Sequence, residues 1–153
     1  MYKLPSIGLR FFTVYGPYGR PDMAYFSFTD SILSGKNIEV FNYGKMLRDF
    51  TYIDDVIDGI ISALTKVTTS KNHIHKIYNL GNNKPVTLLE FIKVLELNCQ
   101  KKAKVKLLPM QKGDVKETWA DIAESEIELN YKPKISINEG LKIFVDWYRN
   151  YYG

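Results

Sequence analysis

The sequence predicts a mixed α/β fold, from two observations. Short runs rich in β-branched and aromatic residues alternate along the chain with longer segments whose apolar residues recur every three or four positions. The order is strand, helix, strand, helix, strand, helix, strand and then two helices, an alternation typical of α/β proteins. At 153 residues, with 45% hydrophobic and 25% charged residues, the chain is long enough for one domain-sized core.

The first predicted strand covers residues 7–15, where nearly every residue is apolar, aromatic or β-branched. A run without alternation is typical of a strand buried on both faces of a parallel sheet. The loop that follows, residues 16–22, is dense in glycine and proline. Asp22 can cap the next helix, which we expect to end at Gly35.

The next segment, residues 38–56, is predicted as strand, cationic turn, short strand and helix start. Arg48 stands where the turn meets the short strand, a place where its planar fork of N–H donors could hold a phosphate. This segment alone favours the simpler alternative, a surface ion pair with Asp49 or Asp54. Asp54 and Asp55 then open a helix that runs to about Lys66.

The second half of the chain carries two helix-start signals. Residues 77–81 read as a short buried strand, and Thr87 with Glu90 forms a capping box that opens a helix. An alternating strand follows around residues 105–107, and residues 109–119 are irregular. Ser136 with Glu139 is a second capping box, which opens the last helix.

Composition and charge exclude several classes of protein. The net charge of +4 is spread along the chain without a basic block, so nucleic acid is not an expected partner. The single Cys99, expected on a helix as a core or half-buried thiol, rules out an internal disulfide and favours a cytoplasmic, reducing compartment. No apolar run approaches the roughly 20 residues of a membrane span. His73 and His75 lack nearby carboxylate or cysteine partners, so no metal site is predicted.

The residues of a dinucleotide-dependent catalytic site are not found in this sequence. A G-x-G-x-x-G turn between a strand and a helix does not occur, and its nearest approximation, GPYG at 16–19, has proline and tyrosine where the backbone would meet a pyrophosphate. No tyrosine is followed by lysine four residues later. We therefore assign no catalytic residue to this chain.

Several linked motifs nevertheless give the chain a specific likeness. In order they are GLRFFTVYGP at 8–17, GRPDMA at 19–24, YGKM at 43–46, RDFTYIDDV at 48–56, YNLG at 78–81, GDV at 113–115 and AD at 120–121. Together they resemble the carboxy-terminal half of the NAD-dependent nucleotide-sugar epimerases and dehydratases, which are extended short-chain dehydrogenases. The likeness covers nearly the whole chain and is greatest to UDP-glucuronate 4-epimerases and capsule-biosynthesis epimerases.

The resemblance implies a fold and a division of labour. The chain would be the carboxy-terminal part of a Rossmann-like extended short-chain dehydrogenase: the last sheet strands plus the small α/β substrate-binding domain. Residues 1–153 would be the substrate-binding half of an epimerase, and the amino-terminal NAD-binding half would be absent. The complete enzyme would use NAD to remove and return a hydride at the sugar C4, whereas this chain alone is not expected to bind NAD.

The same resemblance implies individual roles. Arg48 would contact the diphosphate of a UDP-hexuronate or UDP-hexose, which reverses the ion-pair interpretation above. Thr13 would lie against the sugar, in the manner of the glucuronate enzymes. Arg20 would lie near the sugar carboxylate or a phosphate, with a surface loop arginine as the alternative.

Three more positions would contact the nucleoside. Val40 and Phe41 resemble the segment that packs on the uracil, although a strand core uses the same residue types. Asp114 would accept hydrogen bonds from the ribose hydroxyls, with a plain turn residue after Gly113 as its alternative.

Two other functions stay open at the level of sequence. The chain could be a truncated fragment that acts only as an interaction module, or part of a nucleotide-sugar dehydratase or decarboxylase. Residues 7–15 would lack sheet neighbours within the chain, so we also expect self-association or binding to a chain that carries the amino-terminal half.

Overall fold

The computed structural model describes residues 4–70 and 74–153. Its strands are β1 (Ser6–Phe11), β2 (Thr13–Tyr15), β3 (Asn37–Val40), β4 (Leu47–Arg48), β5 (Phe50–Tyr52), β6 (His75–Leu80), β7 (Val86–Thr87) and β8 (Lys104–Leu107). Its helices are α1 (Ala24–Ser34), α2 (Ile53–Thr69), α3 (Leu88–Cys99), α4 (Ala123–Leu129) and α5 (Ile137–Tyr152), with a 3-10 turn at Phe41–Gly44. The mixed α/β fold is confirmed.

The first predicted strand is two strands with different partners. β1 pairs in parallel with β6, and β2 pairs in parallel with β5. The change of partner falls at Phe12 and Thr13, because the Phe12 N–H donates to Leu80 O and the Thr13 N–H donates to Asp49 O. The prediction of one unbroken strand over residues 7–15 was therefore wrong.

The prediction that this segment is buried on both faces was also wrong for β1. Its residues are half-buried or exposed, and Phe11 keeps 50% of its surface accessible. Among the described residues, β6 is the only strand that pairs with β1. The opposite edge of β1 therefore carries backbone groups without a strand partner in this part of the chain.

Two apolar clusters form the core. The larger packs α1, α3 and α5 against β2, β3 and β5, with Phe50 stacked on Phe91 at 4.2 Å between ring centres. The smaller joins α2, β6 and α4. Cys99 lies inside the larger cluster, as predicted. Residues 48–50 lie beside both clusters, since Phe50 packs in the first and Asp49 bonds to Ala120 of the second.

The predicted starts of α3 and α5 and the predicted end of α1 are confirmed. The Thr87 and Glu90 side chains form the full capping box, Ser136 Oγ accepts from the Glu139 N–H, and Gly35 ends α1 in the left-handed region. The prediction for Asp22 was wrong. Met23 precedes α1 without a side-chain cap, because the Asp22 carboxylate pairs with Arg20 instead.

A buried carboxylate fixes the approach to the last helix. Asp55, 3% exposed near the start of α2, accepts hydrogen bonds from the Lys134 N–H at 2.9 Å and the Ile135 N–H at 3.1 Å. The backbone before α5 is thereby tied to α2, 79 positions earlier.

Membrane-spanning helices and metal-binding clusters are both absent from the part of the chain that the structure describes. None of its helices is long and apolar enough to cross a bilayer, and no group of three His, Cys, Asp or Glu side chains could hold a metal. His73 lies outside the described residues. His75 Nδ1 lies 2.7 Å from Ser6 Oγ.

Candidate functional site

Arg48 is held at the end of β4 mainly by main-chain oxygens. Its Nη1 donates to Leu47 O at 2.9 Å and to Lys116 O at 3.4 Å, while Nη2 lies 3.4 Å from Met46 Sδ. Only 18% of the side chain is accessible. The guanidinium is therefore oriented by the protein before any ligand arrives.

The carboxylate partner of Arg48 comes from far along the chain. Arg48 Nη2 lies 3.5 Å from Asp114 Oδ1, and among the described residues neither Asp49 nor Asp54 forms an ion pair with it. A charge-assisted hydrogen bond is normally 2.7–2.9 Å long, so this contact is weak. The alternative partners expected from the sequence are not the ones used.

Asp114 is both a turn residue and a neighbour of Arg48. Its N–H donates to Gln111 O at 3.3 Å, directly after Gly113 with φ of 88°. The chain then runs along β4, because the Leu47 N–H donates to Lys116 O and the Thr118 N–H donates to Leu47 O. We call residues 114–120 the strap. It carries Asp114 to Arg48.

Thr13 lies next to Asp49 and Phe50, which come directly after Arg48 in the sequence. It is the first residue of β2, it is paired with Phe50 across the sheet, and its N–H donates to Asp49 O at 3.2 Å. Its surface is partly accessible. The backbone therefore brings Arg48 and Asp114 together and places Thr13 beside residues 49 and 50.

Arg20 lies in the exposed loop after β2 and forms a surface ion pair. Its Nε and Nη2 donate to the two oxygens of Asp22 at 2.8 and 2.7 Å, and this pairing lowers the pKa of the Asp22 carboxyl. No described contact joins Arg20 to Arg48 or Asp114. The surface alternative matches its position in this structure.

Val40 ends β3, Phe41 begins the 3-10 turn that follows, and the two side chains differ in accessibility. The Val40 side chain is wholly inside the larger core cluster, whereas Phe41 is only partly buried against it. A base could therefore contact the Phe41 ring more readily than the Val40 side chain. The next residues, Asn42 and Tyr43, both have positive φ, 50° and 52°, a strained conformation that is enriched at functional sites.

Asp49 is the residue that the sequence did not reveal. Its carboxylate is fully buried and accepts three backbone hydrogen bonds: Oδ1 from the Asn82 N–H at 3.0 Å, and Oδ2 from the Asn83 N–H at 3.0 Å and the Ala120 N–H at 2.9 Å. Because Asp49 is adjacent to Arg48 in the sequence, the sequence indicates an ion pair between the two. The actual partners of Asp49 are 33 to 71 positions away, and no local pattern indicates them.

Comparison with known proteins gives the same family that the motifs indicate. The model of the NAD dependent epimerase/dehydratase family matches residues 1–81. An uncharacterized protein of Methanocaldococcus jannaschii is 58% identical over 97% of this chain and 44% of its own length. Protein CapI of Staphylococcus aureus is 44% identical over 99% of this chain and 49% of its own length. UDP-glucuronate 4-epimerase 5 of Arabidopsis thaliana is 46% identical over 99% of this chain and 38% of its own length.

Solved structures agree with the sequence comparison. The UDP-glucuronic acid 4-epimerase of Bacillus cereus, crystallised with UDP-glucuronic acid and NAD, superposes with a TM-score of 0.86 at 40% identity, over 94% of this chain and 45% of that one. The UDP-glucose 4-epimerase of Thermotoga maritima, crystallised with UDP-glucose, superposes with a TM-score of 0.84 at 28% identity, over 94% of this chain and 46% of that one.

The extent of these matches defines what is shared. The chain spans about half or less of the length of the curated relatives it matches, and it corresponds to their carboxy-terminal part. The family model covers 81 of the 153 residues, which is more than half. This chain, with the fold of the extended short-chain dehydrogenases, belongs to the NAD dependent epimerase/dehydratase family.

Proposed function

We propose that residues 1–153 form the substrate-binding half of an NAD-dependent nucleotide-sugar 4-epimerase, with a UDP-hexuronate such as UDP-glucuronate, or a UDP-hexose, as the ligand. The observation that carries the proposal is the placement of Arg48. Its guanidinium is fixed by main-chain oxygens and has only a long, weak contact to a carboxylate. A partly accessible arginine that is already held in place can donate hydrogen bonds to a diphosphate without first being reoriented.

Asp114 fits a role beside the diphosphate. Its contact with Arg48 is 3.5 Å long and its side chain is 31% accessible. A bound diphosphate could therefore replace Asp114 as the hydrogen-bond partner of Arg48. The carboxylate would then be free to accept hydrogen bonds from the ribose hydroxyls. Arg48 and Asp114 would in this way contact neighbouring parts of one nucleotide.

The remaining positions fit the two ends of the ligand. Thr13 would place its hydroxyl against the sugar, and Phe41, beside Val40, would contact the uracil. Arg20 would reach the sugar carboxylate only after its pair with Asp22 opens. That pair is exposed, and surface ion pairs contribute little stability, so its opening is a small obstacle.

The glycine turn that comes nearest to a dinucleotide fingerprint does not fit the pyrophosphate of NAD. In GPYG at 16–19, an added Cβ on Gly16 would lie 2.5 Å from the Ile53 side chain, and one on Gly19 would lie 1.6 Å from the Tyr25 hydroxyl. These glycines are therefore packed against the protein's own side chains and leave no open backbone cradle. We accordingly propose that this chain binds and orients the nucleotide-sugar and leaves the redox chemistry to the NAD-binding half.

A titration of the purified chain tests this function. Isothermal calorimetry with UDP-glucuronate should show binding, uridine should bind more weakly because it lacks the diphosphate, and NAD should give no heat of binding. Equal affinity for UDP-glucuronate and uridine would contradict the diphosphate role. Micromolar binding of NAD would contradict the division of labour.

A second candidate function is that of an interaction module. The outer face of α2 exposes Ile57, Ile61 and Leu64, each more than 40% accessible, and β1 has an unpaired edge among the described residues. Such surfaces are commonly covered by another chain. We propose that they bind either a second copy of this chain or a chain that carries an amino-terminal NAD-binding half.

A further inference from the structure

Three loop positions converge on the Asp49 carboxylate. The Asn82 and Asn83 N–H groups come from the turn after β6, and the Ala120 N–H comes from the end of the strap. All three distances are 2.9–3.0 Å, and the carboxylate is fully buried. A buried carboxylate that accepts only backbone donors fixes the position of the backbone around it.

The strap connects this carboxylate to the candidate site. Thr118 contributes twice: its N–H donates to Leu47 O at 3.1 Å, and its Oγ1 accepts from the Asp49 N–H at 3.3 Å. Ala120 is the fixed end of the strap, and Asp114 is its other end. Residues 116–118 are thereby aligned with β4, which places Lys116 O and Asp114 Oδ1 against the Arg48 fork.

We propose that Asp49 is a positioning residue for the nucleotide-sugar site, which sets the geometry between Arg48 and Asp114 without touching the ligand. The inference rests on the proposed function. It explains why a carboxylate stands beside Arg48 and yet does not pair with it. An amide at this position would turn an NH₂ group toward at least one of the three N–H donors.

The surroundings leave little room for adjustment. A Cβ on Gly81 would lie 2.2 Å from the Ala120 Cβ and 3.3 Å from Asp49 Oδ2. The turn after β6, the end of the strap and the carboxylate are thus packed against one another. We therefore expect an altered acceptor at position 49 to displace the end of the strap.

The experiment compares Asp49→Asn with Asp55→Asn, a matched control. Asp55 is also a buried carboxylate that accepts only backbone N–H groups, but it fixes the approach to α5 and has no described contact with Arg48 or the strap. Calorimetry with UDP should show affinity lowered about tenfold by Asp49→Asn, because the displaced strap no longer holds Arg48 and Asp114 in place, and changed less than about twofold by Asp55→Asn.

A double-mutant cycle separates positioning from general loss of stability. If Asp49 acts through Arg48, then the loss of UDP affinity caused by Arg48→Ala should be about tenfold smaller in Asp49→Asn than in the wild type, because Asp49→Asn has already removed that part of the Arg48 contribution. Equal effects of Arg48→Ala in the two backgrounds would overturn the inference. So would Asp49→Asn and Asp55→Asn proteins with the same UDP affinity.

Two further measurements keep the test decisive. Hydrogen exchange without ligand should be faster across residues 116–120 in Asp49→Asn and unchanged at residues 134–136; unchanged exchange across the strap would overturn the inference. If Asp49→Asn does not fold, Thr118→Val is the second variant, because it removes the acceptor of the Asp49 N–H and so loosens the strap. Full UDP affinity in Thr118→Val would overturn the inference. A wild-type chain without UDP affinity would overturn the proposed function itself, whereas the other failures leave that function standing.

Discussion

The guanidinium of Arg48 and the carboxylate of Asp114 lie 3.5 Å apart although 66 positions separate them in the sequence. The strap along β4 creates this proximity, since its backbone is hydrogen-bonded to both the N–H and the C=O of Leu47. Each residue alone has a plain structural explanation. Side by side and partly accessible, a guanidinium and a carboxylate are groups that can bind a phosphate and a hydroxyl.

Asp114 should discriminate ribose from deoxyribose. A carboxylate that accepts from the ribose hydroxyls favours UDP over 2′-deoxy-UDP, and we expect Asp114→Ala to remove most of that preference. Competition NMR with the two nucleotides measures it. Lys112→Ala, in the same loop, is the control and should keep the wild-type ratio. An unchanged ratio in Asp114→Ala would leave Asp114 as a turn residue only.

Glu128 should make the stability of the chain depend on acid pH. Its carboxylate accepts from Lys76 Nζ, from the Tyr78 hydroxyl at 2.6 Å and from Lys66 Nζ at 2.9 Å, and these donors lower its pKa from 4.5 to about 2. The folded-state pKa lies below the unfolded one, so the stabilisation is complete above about pH 5 and is lost as the pH falls toward 2.

Thermal unfolding between pH 2 and pH 7 measures this effect. Glu128→Gln should flatten the dependence of the melting temperature on pH below about 5, because the titrating group is gone. Glu126→Gln, at an exposed position of the same helix, should keep the wild-type profile. Parallel profiles for the wild type and Glu128→Gln would show that the three donors contribute no pH-dependent stability.

The local signals of the sequence predicted the helices well because their causes are local. A capping box needs only Thr87 and Glu90, and a left-handed C-cap needs only Gly35, so both are visible in a short window. The alternation of strands and helices follows from the spacing of apolar residues. These features led to the correct fold class.

The features that the sequence did not predict depend on distant partners. The break between β1 and β2 arises because Leu80 O and Asp49 O accept from successive N–H groups at Phe12 and Thr13. The role of Asp49 arises from N–H donors on two loops. Asp22 was expected to cap α1, but a bidentate contact with Arg20 two residues earlier competes for the same carboxylate.

The exposed apolar surfaces should cause self-association. On α2, Ile57, Ile61 and Leu64 are 43%, 56% and 59% accessible, and one edge of β1 has no strand partner among the described residues. Size-exclusion chromatography with light scattering should show a mass that rises with concentration. Ile61→Glu should lower this mass, whereas Leu97→Glu, on the exposed face of α3, should not. A compact monomer whose amides at residues 6–11 are already protected would contradict the prediction.

Nucleotide-sugar binding through Arg48 is tested most directly by the affinity for UDP-glucuronate of three proteins: the wild type, Arg48→Ala and Arg20→Ala. Loss of a charge-assisted contact to the diphosphate should weaken binding by roughly 1.5 to 3 kcal/mol in Arg48→Ala. Arg20 is exposed and already paired with Asp22, so Arg20→Ala should change the affinity by less than about threefold. Saturation-transfer NMR and calorimetry measure both variants. A clear loss in Arg48→Ala alone is the predicted result, and equal losses in the two variants would contradict the assignment of the diphosphate to Arg48.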